Sequence, residues 1–177
     1  MSQTSEAPSA ANTKQDPVER PVTVEQLISE QPGRTTEELV AAAVAGERRR
    51  RQAAGMSGHE LDETARMAGV FTQMWLQHLA SDGHLVEFDG GWFLTHAIVE
   101  DLGFKANEQG QSLTPQDLER LSGLTERQVI KAIDHLEYWA ICGGCPEFDW
   151  EGWGEPDSDA RMTEILGYDW TAKWDEL

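Results

Sequence analysis

The segment between Leu118 and Leu136 constrains the fold more than any other part of the chain. Two helices that meet steeply through a short turn need a small residue where the chain reverses, and Gly123 occupies that place. They also need an apolar residue directly after the turn, where Leu124 stands. The second helix needs apolar residues on one stripe, at the spacing i, i+4, i+7. The residues at that spacing are Val129, Ile133 and Leu136.

This segment resembles the helix-turn-helix of winged-helix proteins, most clearly from Pro115 to Ile141, with Glu119 where that family commonly has Ala. In DNA-binding members of the family, the N-terminal turn of the second helix enters the major groove. The resemblance implies that Arg127 pairs with guanine, Gln128 with adenine and Lys131 with phosphate. The DNA-binding residues implied in this helix are Thr125, Arg127, Gln128 and Lys131.

The first half of the chain has a similar order of elements. Capping-box spacings predict that helices begin after Thr23, Thr35 and Ser57. Gly69 is predicted to interrupt the third helix, and Asp82-Gly83 to end the helix that follows it. Two β-rich runs around Asp89-Gly90 predict a hairpin. The expected fold class is mainly α with short β-hairpin wings, arranged as tandem winged-helix units.

The predicted organisation has four segments. Residues 1–22 contain no aromatic residue and are expected to be a disordered tail. Residues 23–104 form the first winged-helix-like unit, and residues 105–147 the second. Residues 148–177 form an acidic, tryptophan-rich C-terminal segment.

The charge of the chain excludes two classes of function. Lys and Arg total 14 against 32 Asp and Glu, so the formal net charge is −18. A basic nucleic-acid coat and a polybasic membrane binder both need many cations. Without a membrane-length apolar run or a signal peptide, we expect a soluble cytoplasmic protein with no membrane contact. A GC-rich genome or a saline cytoplasm would also explain acidity with scarce lysine.

The four consecutive arginines Arg48, Arg49, Arg50 and Arg51 form the single basic cluster in the sequence. They are candidate DNA-binding residues, because such a cluster can hold phosphate. The alternative is a solvated helix end, where cations suit the negative end of the helix dipole and pair with nearby carboxylates.

Cys142 and Cys145 have a C-x-x-C spacing that lets two thiolates share one metal ion. A structural zinc needs two more ligands, and the sequence has no second cysteine pair. We therefore expect no cofactor, with Cys142 and Cys145 as weak zinc candidates. The sequence also lacks a glycine-rich phosphate loop, H-E-x-x-H and G-x-S-x-G, so we do not expect an enzyme.

The C-terminal segment is notable for its tryptophans. Between residues 146 and 177, ten acidic and two basic residues alternate with large aromatic side chains. Tryptophan is favoured in binding hot spots, so this segment is a predicted interaction element, although the rings could instead pack on the helices. The predicted partner-binding residues are Trp150, Trp153, Trp170 and Trp174. The other aromatic residues predicted to pack in the core are Trp75, Trp92, Phe93 and Trp139.

Two functions follow as hypotheses. The first is a DNA-binding winged-helix regulator or nucleoprotein component with an acidic interaction tail. The second is an acidic protein-binding inhibitor or adaptor on a winged-helix scaffold, such as a phage- or plasmid-type antagonist of a nucleic-acid enzyme. The expected partner is DNA or a nucleic-acid-processing protein complex, and a homodimer is left open.

Overall fold

The described part of the chain folds into helices and one β-hairpin, which confirms the predicted mainly α class. The computed structural model describes residues 20–140, 144–150, 156–169 and 172, so most of the predicted tail at 1–22 lies outside the described residues. Within this part of the chain the elements are α1 (Val24–Glu30), α2 (Thr36–Ala53), α3 (Gly58–Asp82), β1 (Leu85–Phe88), β2 (Gly91–Leu94), α4 (Thr95–Asn107), α5 (Pro115–Ser122), α6 (Glu126–Ala140) and α7 (Pro156–Leu166). None of the described helices is both long enough and apolar enough to cross a bilayer.

Local capping signals fix most helix starts. The hydroxyl of Thr35 accepts from the Glu38 amide at 3.3 Å, and the Glu38 carboxylate accepts from the Thr35 amide at 2.8 Å, which confirms the predicted capping box. The same reciprocal pair joins Thr125 and Gln128. Ser57 is different, because its side chain caps none of the described amides of α3.

The prediction that Gly69 interrupts a helix is wrong. The α3 helix runs unbroken for 25 residues, and Gly69 lies buried in its middle. A Cβ atom built on Gly69 would lie 3.1 Å from a methyl group of Val40 and 3.1 Å from one of Val44. Glycine is therefore present because α2 and α3 approach closely as an antiparallel pair, and it does not act as a turn.

The predicted hairpin is confirmed. Strands β1 and β2 pair antiparallel, and Asp89 and Gly90 take the positive φ angles of 50° and 80° that a tight turn needs. An isolated bridge adds Arg34 to the far edge of β2, where it pairs with Trp92. The indole N–H of Trp92 donates to the hydroxyl of Thr36 at 2.9 Å, which ties the hairpin to the start of α2.

In the part of the chain that the structure describes, two large apolar clusters and a small third one, described below, form the interior. The first lies among α1, α2, α3 and the hairpin, and its buried residues are Val24, Leu27, Ile28, Leu39, Leu76, Leu79, Leu85 and Leu94. The second lies among α4, α5 and α6, and its buried residues are Val99, Leu118, Leu124, Val129, Ala132, Ile133 and Leu136. Gly123 has a φ of 73° at the α5–α6 turn, and Leu124 is buried directly after it, as predicted.

Candidate functional site

Arg127 and Lys131 of α6, two cations that were predicted to face DNA, contact a carboxylate at the end of α3. The ammonium of Lys131 lies 2.6 Å from a carboxylate oxygen of Asp82, and the guanidinium of Arg127 lies 3.5 Å from the same oxygen. The side chain of Lys131 is 11% exposed, whereas that of Arg127 is 49% exposed. The hydrogen bond from Lys131 lowers the pKa of Asp82, although partial burial opposes it. Lys131 therefore joins α6 to α3, and Arg127 keeps more of its surface in solvent.

Gln128 is also engaged within the protein. Its side-chain oxygen accepts from the amide of Thr125 at 2.9 Å, and its side-chain nitrogen donates to the carbonyl of Leu85 at 3.5 Å. A glutamine that reads adenine needs both its side-chain oxygen and its side-chain nitrogen free. In this conformation both atoms of Gln128 are bonded within the protein, so the side chain closes a helix cap and does not present a bidentate edge.

The α7 helix covers another side of α6. Met162 packs against Ile130, and these side chains are 2% and 0% exposed. Arg161 forms an ion pair with Glu126, and the hydroxyl of Tyr168 donates to Asp134. Burial, followed by the hydrogen bond to Asp134, raises the pKa of Tyr168 above its usual range. An apolar residue at position 130 would be exposed on a free recognition helix, and here it is fully covered.

Three of the four consecutive arginines pair with carboxylates. Glu47 binds Arg50 at 2.6 Å and Arg51 at 2.7 Å, and these contacts, led by the hydrogen bond from Arg50, lower the pKa of Glu47 to about 2. Arg48 lies 2.8 Å from Asp62. Arg49 is exposed and forms no ion pair with the described residues. The cluster thus leaves one guanidinium available to a ligand.

Sequence reasoning missed an exposed apolar surface on α3. The side chains of Val70, Phe71, Met74 and Trp75, here called the α3 stripe, are 38%, 54%, 58% and 53% exposed. The prediction that Trp75 packs in the core is therefore wrong. The inward face of α3 is carried by Thr72, Leu76 and Leu79. The signal was present in the sequence, because this helix holds more large apolar residues than one face can bury.

The α3 stripe borders a groove of about 550 Å³, here called the α2–α3 groove. Phe71 and Trp75 line it from α3, the arginines line it from the end of α2, and Val22 lies in the segment that precedes α1. The residues on the charged side are Arg20, Arg49, Arg50, Arg51, Glu25 and Glu47. The groove combines an apolar wall with guanidinium groups.

The cysteine pair is described only in part. Cys142 lies outside the described residues, and Cys145 is a half-buried free thiol. Burial raises the pKa of Cys145 to about 11, so its sulfur is protonated at neutral pH. Among the residues that the structure describes, no group of three or more His, Cys, Asp or Glu side chains is placed to hold a metal ion.

The tryptophans of the C-terminal segment are likewise described in part. Trp150 is half-buried, and it packs against both the second apolar cluster and the Ile130–Met162 pair. Trp153, Trp170 and Trp174 lie outside the described residues. Trp92 packs against the first cluster, and Phe93 is half-buried. The side chain of Trp139 is outside the described part of the chain.

Two histidines stack between α4 and α6. The rings of His96 in α4 and His135 in α6 lie 4.3 Å apart, centre to centre. Burial, with a further contribution from His135, lowers the pKa of His96 to about 4. The pKa of His135 is also lowered, mainly by burial. Both rings are therefore neutral at pH 7.

Comparison of the chain with protein-family models, with curated proteins and with solved structures gave no match. The winged-helix relationship accordingly stays a hypothesis that depends on the residues between Pro115 and Ile141 and on the order of the helices and the hairpin.

Proposed function

We propose that this protein is a non-enzymatic adaptor or inhibitor that binds another protein through the α3 stripe. The observation that carries the proposal is the exposure of Val70, Phe71, Met74 and Trp75, which are 38% to 58% exposed on consecutive turns of one helix. Contiguous apolar surface of this kind marks interaction sites in soluble proteins. Aromatic residues and methionine are enriched in protein interfaces, and tryptophan is a frequent hot spot.

The scaffold that we propose is a pair of winged-helix-like units. Three helices followed by a hairpin support this assignment in the first unit, where α1, α2 and α3 precede β1 and β2. The turn at Gly123 and the buried Leu124 support it in the second unit. The unbroken α3 helix departs from the proposed pattern, because no turn separates its two halves.

DNA binding through α6 is the competing proposal, and the contacts of α6 favour it less. Lys131 and Gln128 would have to leave Asp82 and Leu85 before they could reach a base or a phosphate. Ile130 is buried beneath Met162, so α7 covers this side of α6 and would have to fit into the DNA major groove together with it. The net charge of −18 adds repulsion of the phosphate backbone.

Affinity capture from a lysate of the source cells, run with and without nuclease treatment, tests the proposal. The full chain serves as bait, and the variant is the double substitution Phe71→Ala with Trp75→Ala. The matched control is Phe104→Ala, because Phe104 is 42% exposed on a different helix, α4. We expect one stoichiometric protein with the wild type and the control, and its loss with the double variant at an unchanged melting temperature.

Two outcomes would contradict the proposal. One is a partner that the double variant still captures as well as the wild type. The other is recovery that disappears on nuclease treatment, because that result would assign the interaction to nucleic acid.

A further inference from the structure

The α2–α3 groove is positively charged in a strongly acidic protein. Its lining contains four arginines and two glutamates, which leaves two positive charges in a chain whose net charge is −18. Glu47 is already occupied by Arg50 and Arg51 at 2.6 and 2.7 Å. The local charge is therefore opposite in sign to that of the molecule as a whole.

Arg49 gives this groove a free cation beside an apolar wall. It is exposed and has no carboxylate partner within the described part of the chain, whereas its neighbour Arg48 pairs with Asp62 and does not line the groove. Phe71 and Trp75 line the same groove and are more than half exposed. A guanidinium can bind a carboxylate through two parallel hydrogen bonds, and the aromatic rings can pack against an apolar side chain.

We infer that the segment that occupies the α2–α3 groove is an acidic stretch of a partner protein, with large apolar side chains between its carboxylates. The apolar side chains pack on Phe71 and Trp75, and a carboxylate pairs with Arg49. This inference rests on the proposed function, and it names the chemistry of the partner at the same surface. Charge complementarity makes the groove bind an acidic segment more tightly than a neutral or basic one.

A single-stranded nucleic acid is the other ligand class with acidic groups and flat apolar faces. It carries a charge on every residue, so the repulsion from a chain of net charge −18 grows with each nucleotide bound. An acidic peptide needs only one or two carboxylates near Arg49 and Arg20. Glu25 and Glu47 also line the groove, and they would oppose a continuous phosphate backbone. The groove therefore favours the peptide.

Fluorescence polarisation with a defined probe tests the inference. The probe is a labelled 12-residue peptide that alternates Glu with Trp and Leu, titrated with the full-length protein at 50 and 300 mM NaCl. We expect Arg49→Gln to weaken binding about two- to fivefold, which is the effect of losing one exposed ion pair. The matched control Arg48→Gln should bind like the wild type, and Phe71→Ala should bind more weakly. Higher salt should weaken binding by the wild type more than binding by Arg49→Gln.

Two further ligands separate the sources of affinity. The first is the same peptide with Gln in place of Glu, which we expect to bind more weakly and with no dependence on Arg49. The second is a 12-nucleotide oligothymidine, which we expect not to compete. Equal affinity for the Glu and Gln peptides, equal effects of the two arginine variants, or oligothymidine that binds where the peptide does not would each overturn the inference.

The two proposals fail separately. If the captured partner depends on Phe71 and Trp75 while the peptide does not bind or ignores Arg49, the proposed function stands and the acidic partner is wrong. If the peptide binds through Arg49 while capture ignores the α3 stripe, the groove has the inferred chemistry and the proposed function is wrong.

Discussion

Lys131 of α6 donates to Asp82 at the end of α3 over 2.6 Å, and this contact joins the two helices through residues 49 positions apart in the sequence. The lysine side chain is almost fully buried, so this contact helps to pack the two halves of the chain against each other. A residue chosen from the sequence as a phosphate contact is thus a structural link in the folded protein.

Substitution of Lys131 should therefore reduce stability. We expect Lys131→Ala to lower the free energy of unfolding by about 1–2 kcal/mol, because Asp82 loses a charge-assisted hydrogen bond in a partly buried place. The control is Lys105→Ala, which breaks the exposed pair with Asp101. We expect that variant to change stability by less than about 0.5 kcal/mol. Urea unfolding followed by circular dichroism measures both, and equal effects would contradict the structural role of Lys131.

Arg127 is the better test of DNA binding, because it is half exposed and its loss should not disturb the fold. We expect no sequence-specific gel shift with double-stranded DNA at 150 mM salt. A shift that Arg127→Ala weakens by about 1–3 kcal/mol at one base pair would support the DNA hypothesis instead. The control Arg120→Ala removes an exposed arginine of α5, and it should leave any such shift unchanged.

Gly69 should resist replacement by alanine. The added Cβ would meet two valine methyl groups at 3.1 Å, so overpacking opposes the gain in helix propensity. We expect Gly69→Ala to destabilise the protein by about 1 kcal/mol, since a packing cost of about 1–3 kcal/mol exceeds a propensity gain of about 1 kcal/mol. The control Gly46→Ala in α2 adds a Cβ that reaches only Val22, at 4.0 Å. That variant should be more stable than the wild type in thermal unfolding, and a stabilised Gly69→Ala would show that α2 and α3 can move apart.

Met162 should matter because it covers Ile130. We expect Met162→Ala to cost about 2–3 kcal/mol of unfolding free energy, since a side chain that is 2% exposed leaves a cavity. Hydrogen exchange of the α7 amides should become faster in this variant. The control Met74→Ala lies on the α3 stripe at 58% exposure, and it should change stability by less than about 0.5 kcal/mol. Comparable losses in the two variants would contradict the burial of Met162.

The stacked histidines predict acid sensitivity. The pKa of His96 is about 4 in the folded protein, below the ordinary value of 6.5, so the unfolded chain takes up the proton first. The stability that neutral His96 contributes is complete above pH 6.5 and is lost as the pH falls from 6.5 to 4. The loss from this group should be at most about 1.4 kcal/mol per pH unit. Melting temperatures over this pH range should fall less steeply for His96→Gln than for the wild type. A slope for His96→Gln equal to that of the wild type would contradict the neutral, partly buried state of His96.

Sequence reasoning succeeded where the determinant is local. Thr35 with Glu38, the Asp89-Gly90 turn and the Gly123-Leu124 corner each depend on a few neighbouring residues, and all three form as predicted. It failed where distant residues decide the outcome. Glycine is a common helix breaker, and only the proximity of Val40 and Val44 explains why Gly69 lies inside a helix.

The candidate site was harder to predict than the fold. The sequence assigned Trp75 to the core because a large apolar residue is usually buried, but Leu76 and Leu79 already fill the inward face of α3. The resemblance to winged-helix proteins implied that Lys131 and Gln128 contact DNA, whereas Asp82 and Leu85 bind their side chains in the folded chain. The α2–α3 groove depends on the pairing of two helices and the segment before α1, which no single stretch of sequence encodes.

The contact between Trp92 and Thr36 also has a consequence for the order in which we expect this protein to gain its structure. The hydrogen bond from the Trp92 indole closes a sequence separation of 56 residues, whereas α2 and α3 are joined by a connection of only four residues. Short connections close fast and long ones slowly, so we expect the helical pair to form first and the hairpin to dock on it later. Weakening the Trp92 contact should then speed unfolding and leave the folding rate almost unchanged. We therefore expect the lifetime of the folded state to depend on this hairpin contact and not on the residues of the α3 stripe.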